Sequence, residues 1–210
     1  MGVSEFPRRL ADGYRSFRAT RLAADAARYR TLAEHGQRPE TMIVGCCDSR
    51  AAPETVFDAA PGELFVHRNV ANLVPPHAPD GAYHGTSAAI EYAVTALGVR
   101  HVVVMGHGRC GGVAAFLDRA QPVGDFIGKW ISLIAPAEPL VVAAAEAERQ
   151  QAMEFASVRL SLANLATFPF VQDRLANGSL TLHGAWFDIG SGELKVLDPA
   201  TGAFNPAMAE

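Results

Sequence analysis

The sequence predicts an α/β domain with a mainly parallel central sheet, an antiparallel edge strand and flanking helices. Three observations carry this. The runs Thr41–Gly45, Leu64–Arg68 and His101–Gly106 are short, apolar and bounded by polar residues or glycine, as buried strands are. Between the second and third lies Thr86–Leu97, where Ala89, Ile90, Tyr92, Ala93 and Leu97 recur at helical spacing. Such alternation calls for parallel strands joined by right-handed crossovers. Finally, Leu180–Asp188 and Glu193–Leu197 flank Gly190-Ser191-Gly192, the pattern of a hairpin at the edge of the sheet.

The remaining elements follow in order. From Pro7 to Gly36 the chain is rich in Ala, Arg, Leu and Tyr, and Leu10, Tyr14, Phe17 and Leu22 suggest two helices broken near Ala19-Thr20. Residues 1–36 therefore read as a helical arm that precedes the sheet. Its own residues leave open whether it covers this domain or a second subunit. Pro53–Asp58 reads as a short helix. Further helices are expected over Phe126–Ile134, Pro139–Leu165 and Pro169–Leu175. Repeats, low-complexity segments and linkers are absent from the sequence, so residues 1–210 are expected to form one domain.

Composition narrows the function classes. A chain of 210 residues can bury a sizeable core. Its net charge of −4 is scattered, so no basic stripe suggests nucleic acid. No apolar stretch has the length of a membrane span, and the residues after Met1 lack the apolar core of a secretory signal. Three cysteines give no disulfide framework, and a reducing cytoplasm is the expected setting.

The chemistry is concentrated at two strand ends. Cys46-Cys47-Asp48-Ser49-Arg50 follows the first apolar run, and His107-Gly108-Arg109-Cys110 follows the third. Open α/β sheets place their sites at such carboxyl ends. Side chains alternate faces along an extended chain, so Cys46, Asp48 and Arg50 share a face if the extension continues past Gly45. Cys47 then points away, and is expected to be a buried bystander thiol. Cys110 falls near the start of a helix, where amide dipoles favour a thiolate. Cys46, His107 and Cys110 together suit a Cys₂His zinc site whose fourth position is open or blocked by Asp48. A structural zinc needs neither Asp48 nor Arg50 beside an open position, so the pair points to chemistry on a bound water. Asp48 would accept a hydrogen bond from that water, and Arg50 would keep Asp48 ionised and oriented.

These motifs resemble the beta-class carbonic anhydrases. The resemblance rests on Cys46-x-Asp48-Ser49-Arg50 followed by His107-x-x-Cys110-Gly111-Gly112. It is extended by Pro61–Val66, Arg68-Asn69-Val70-Ala71-Asn72 and Phe168-Pro169-Phe170-Val171. It implies reversible hydration of CO2 to bicarbonate and a proton by a zinc-bound hydroxide, with Zn2+ as cofactor. It also implies homodimers or multiples of dimers, with the N-terminal helices packed on a partner subunit. The resemblance marks Gln37, Phe65, Val70, Tyr92 and the Gly111 amide as the lining of the CO2 pocket. Gln37 matches a glutamine that donates to substrate in the plant-type subgroup. The other subgroup holds an inhibitory bicarbonate near a tryptophan and an aromatic hydroxyl. Here those positions are Ile43 and Phe187, and Arg68 alone does not make that site, so the zinc is expected to be accessible at neutral pH. Alternative readings are a related CS2 or COS hydrolase on the same fold, a non-catalytic zinc-binding domain and a thiol redox protein. The last is a poor match because the chain has no C-x-x-C pair.

Overall fold

Residues 5–118 and 124–207 are described by the computed structural model. The chain divides into two compact units, Met1–Gln37 and Arg38–Glu210. The first is helical: α1 (Arg8–Ala19), α2 (Arg21–Ala24) and α3 (Ala26–His35). The break at Thr20 falls where the sequence places it, and a second at Asp25 adds one more segment than expected. Within this unit Phe17 meets Tyr29 edge to face, with ring centroids 6.0 Å apart. Leu10 and Tyr14 of α1 are exposed.

The second unit carries the sheet. Its elements begin with β1 (Thr41–Cys46), α4 (Pro53–Val56) and β2 (Leu64–Asn69). A single 3₁₀ turn, Val70–Asn72, leads on to α5 (Gly85–Glu91), which continues as a π-helical stretch, Tyr92–Leu97. Gly98 stops that stretch in the left-handed conformation (φ 69°) that glycine adopts freely. After β3 (His101–His107) come α6 (Gly111–Leu117) and α7 (Ile127–Ile131), then α8 (Arg149–Leu165) and α9 (Pro169–Ala176). The chain closes with β4 (Thr181–Phe187), β5 (Leu194–Leu197) and β6 (Phe204–Pro206).

The six strands run in the order β2-β1-β3-β4-β5-β6. The first four are parallel, and β5 and β6 are antiparallel additions at one edge. The chain moves outward from β1 to β2 and then crosses back to place β3 on the other side of β1. The strand order therefore reverses between β1 and β3, which makes a crevice at their carboxyl ends.

Burial explains why β1 and β3 read as unbroken apolar runs. Met42, Val44, Val102 and Val104 pack in one core with Ile90, Val94, Val158, Leu165 and Phe168. Ile43 and Met105 face the opposite core with Ala185, against Val56 and Leu194. Both faces being covered removes the polar alternation of a half-exposed strand. Among the described residues, no helix is long and apolar enough to cross a membrane.

Three expectations need correction. The stretch read as helix over Phe126–Ile134 and Pro139–Leu165 is broken. A 3₁₀ segment, Ser132–Val141, contains Pro136 and Pro139, and α8 begins only at Arg149. Proline removes a helical donor and clashes with the preceding turn, so this run cannot continue as α-helix. The chain does not stay extended past Gly45; it leaves β1 at Cys46 and turns, with the Ala51 N–H donating to Asp48 O at 3.2 Å. Cys47 is exposed rather than buried. β6 was not expected: three residues ending in proline give no strand signal of their own.

Candidate metal centre

Cys46 ends β1 and His107 ends β3, so both stand over the crevice at the strand-order reversal. Cys110 follows His107 across a tight turn and forms the N-cap of α6. The turn is sharp because Arg109 adopts a left-handed conformation (φ 56°), unusual for a residue with a side chain. The two sulfurs are 4.0 Å apart. The ligand atoms of Cys46, His107 and Cys110 all lie within 4.8 Å of one another, and all three residues are buried.

The imidazole shows what this group is suited to hold. His107 Nδ1 lies 2.9 Å from the Gly108 carbonyl oxygen, which can only accept, so Nδ1 carries the proton. Nε2 is left with a bare lone pair. It is buried and has no hydrogen-bond partner. An unpartnered buried nitrogen is costly unless something fills its lone pair, and a cation between it and two sulfurs does so. Two thiolates and one imidazole are a donor set that favours zinc.

The thiols are electrostatically unequal. Cys46 is held well below the ordinary cysteine value because Cys110 hydrogen-bonds its sulfur. Burial opposes this, while the amides of Asp48 and Ala71 add to it. Cys110 is pushed up by the same contact with Cys46 and by burial. A buried pair at this distance ionises singly unless a cation offsets the second charge. The Ala71 N–H reaches Cys46 Sγ at 3.4 Å because Ala71 and Asn72 are both left-handed (φ 64° and 49°). Gly112 permits that close approach: a Cβ there would lie 2.8 Å from Val70 Cγ1 and 3.0 Å from Ala71 Cβ.

Asp48 and Arg50 meet through the turn after β1, not through strand alternation. Arg50 donates from Nε to Oδ1 at 2.9 Å and from Nη2 to Oδ2 at 2.7 Å, and its backbone N–H adds a third bond at 3.0 Å. The Arg50 side chain therefore holds the Asp48 carboxyl well below the usual range, against the small cost of its partial burial. Asp48 Oδ2 lies 3.9 Å from His107 Nε2, at the edge of the group. Arg68 stiffens the same turn by donating to Cys46 O at 2.7 Å and to Asp48 O at 2.6 Å.

The expected pocket residues divide. Val70 packs with Cys46 and Cys110, and its carbonyl accepts from Trp130 Nε1 at 2.8 Å. Gly111 opens α6 directly after Cys110. Phe65 and Tyr92 lie elsewhere. Phe65 pairs with Met42, four positions before Cys46, or roughly 13 Å along the strand. Its ring packs on half-exposed Tyr92 with centroids 5.9 Å apart. The structure does not bring this aromatic pair to the thiols of its own chain. Gln37 is exposed at the end of the first unit.

Sequence reasoning missed three contributors: the Ala71 amide, the Arg68 clamp and Glu154. Glu154 is buried beneath the His107–Cys110 turn and accepts the Cys110 N–H at 2.9 Å. Its signal was present. It falls on the stripe Glu154, Val158, Ser161, Leu165, a helix face that is otherwise core.

Comparison with known proteins bears on this arrangement. A family model described as carbonic anhydrase matches residues 41–194. A carbonic anhydrase of Pseudomonas aeruginosa is 38% identical over 205 residues, covering 94% of this chain and 90% of that protein. The solved beta-carbonic anhydrase CcaA is 29% identical with a TM-score of 0.88, covering 97% of this chain and 92% of that one. One of two tetrameric beta-carbonic anhydrases from the filamentous ascomycete Sordaria macrospora is 31% identical with a TM-score of 0.79, over 93% of this chain and 96% of that one.

Proposed function

The chain belongs to the beta-class carbonic anhydrase family, and on that premise we propose that Cys46, His107 and Cys110 hold a zinc ion at which CO2 is reversibly hydrated to bicarbonate and a proton. The observation that carries this is the buried His107 Nε2, unpartnered and grouped with two thiols. Zinc held there would supply a Lewis acid able to lower the pKa of a bound water to about 7.

The chain's own residues do the rest. The Asp48 carboxylate accepts a hydrogen bond from the attacking oxygen and turns its lone pair towards carbon. It must be ionised to accept, and the fork from Arg50 keeps it so. The same fork would compete with the metal for the Asp48 carboxylate. Val70 offers apolar surface beside the thiols, and the Gly111 amide opens a helix whose dipole favours a developing negative charge. Gln37, Phe65 and Tyr92 complete the pocket in this reading. Phe65 and Tyr92 are remote from their own thiols, so they do so from a partner subunit. We therefore propose a homodimer or a multiple of dimers, with α1 packed on the partner through its exposed Leu10 and Tyr14. A reducing cytoplasm suits its free thiols.

Metal analysis of His107→Ala and Cys110→Ala tests the ligand assignment. Each is expected to lose most of its zinc, because two remaining ligands hold the ion poorly. Full occupancy in either variant removes that residue from the ligand set.

A further inference from the structure

Glu154 is a buried acid that the reaction does not use, and among the described residues no lysine or arginine pairs with it. The residue is 2% exposed on α8, with its carboxylate against the backbone of Cys110. Every bond it accepts comes from a neutral N–H: Cys110 N at 2.9 Å and Gln150 Nε2 at 3.1 Å on Oε1, and Trp186 Nε1 at 3.0 Å on Oε2. Burying a carboxylate is expensive even when it is hydrogen-bonded, and a leucine or methionine would fill such a site without that cost. The position therefore points to a task that an apolar side chain cannot perform.

The strained turn above it supplies the task. His107 and Cys110 approach each other only because Arg109 is left-handed, a conformation that persists when its surroundings over-determine it. The turn is tied at the start by Gly108 N–H to Phe187 O (2.9 Å) and in the middle by Arg50 Nη2 to Arg109 O (3.4 Å). At the far end, Glu154 takes the Cys110 N–H, and Gln150 reaches the Cys110 carbonyl at 3.4 Å. Trp186 lies under the same turn: a Cβ on Gly108 would come 3.1 Å from its ring. Glu154 thus joins the backbone of Cys110 to the indole that supports Gly108.

We propose that Glu154 is the positioning residue of the metal loop: it fixes the Cys110 backbone so that its sulfur stays in reach of the ion, and it governs how fast the metal leaves. This rests on the ligand assignment above. In Glu154→Gln, one oxygen becomes a donor, so either Cys110 N–H or Trp186 Nε1 loses its acceptor and faces another N–H.

The test uses zinc-loaded protein challenged with excess chelator, with zinc release followed by a colorimetric indicator. Glu154→Gln should release zinc about 10- to 100-fold faster than the parent, the scale of losing a partner that orients a ligand. Its cobalt-substituted form should show a shifted or weakened thiolate-to-metal charge-transfer band. Leu165→Ala controls for stability. It empties core on the same helix, about three turns away, and should release zinc at close to the parental rate despite a lower Tm. If Glu154→Gln does not fold, Glu154→Asp should show the same changes to a smaller degree, because its shorter side chain cannot reach both donors. Parental release and an unchanged cobalt band in Glu154→Gln overturn the proposal, as does equal acceleration in Leu165→Ala. A parent protein that binds no zinc overturns the ligand assignment instead.

Discussion

At Nε2 of His107 a buried lone pair faces two sulfurs, and the chemistry of the molecule turns on what fills it. Strand alternation separates Cys46 from Cys47, and in the structure the first is buried and the second exposed. The exposure of Cys47 was not legible, because β1 ends at Cys46 and the chain rises out of the core. Asp48 and Arg50 were expected together for the wrong geometric reason. Their fork is built by a turn whose backbone N–H at Arg50 caps the Asp48 carboxylate. The helical stripe marks Glu154 as an acid on a core face, but its partner lies 44 residues away, and no local pattern names that partner.

The Asp48–Arg50 pair makes a prediction with a definite sign. Arg50 lowers the Asp48 pKa, so Asp48 stays a carboxylate from alkaline pH far into the acid range. Any stability the pair contributes is present above the ordinary carboxylate value of about 3.9 and disappears as pH falls through the lower folded value. Between about pH 6 and 9, hydration should therefore rise with pH along a single limb set by the attacking water, with no carboxylate limb. Arg50→Ala should keep zinc yet lose roughly hundredfold in kcat/KM, the cost of a misplaced catalytic group. Asp48→Asn should behave likewise. Near-parental rates in both variants across this range would remove the pair from the mechanism.

At the scale of elements, the strands that carry Cys46 and His107 were the most legible part of the chain. β1 and β3 are buried on both faces, and that condition writes itself into sequence as an unbroken apolar run. The Phe126–Glu148 region was not, since 3₁₀ segments interrupted by Pro136 and Pro139 mimic helical periodicity without sustaining it. The contact between β3 and α8 is tight enough to test. A Cβ on Gly106 would lie 2.8 Å from Val158 Cγ2, closer than packed carbons tolerate. Gly106→Ala should cost about 1–3 kcal/mol by overpacking, read from denaturant unfolding. Because Gly106 precedes His107, the variant should also lower activity. Gly106→Ala combined with Val158→Ala should recover part of the lost stability, and a double variant no more stable than Gly106→Ala alone would contradict this packing.

For the whole molecule, the parallel sheet with its antiparallel edge was readable from the order of elements, whereas the assembly was readable only through family resemblance. The physical reason is that a pocket shared between subunits, as proposed here, would leave its halves as unrelated surfaces on one chain. Phe65 and Tyr92 look like an ordinary core-edge pair until a second copy is considered. Sedimentation of the zinc-loaded protein should give a dimer or a multiple of it. A Phe65→Ala, Tyr92→Ala double variant should keep zinc while losing turnover. Activity in a protein that sediments as a monomer would contradict the shared pocket.

The most direct test of the account is stopped-flow hydration of CO2 by the zinc-loaded protein at pH 8, beside Cys46→Ser prepared in the same way. The account predicts rapid hydration by the parent, with activity proportional to bound zinc. It predicts that Cys46→Ser, missing one of two thiolates, loses both metal and turnover. Parent protein that binds one zinc per chain but does not accelerate hydration would contradict it, as would a Cys46→Ser variant that hydrates CO2 at the parental rate.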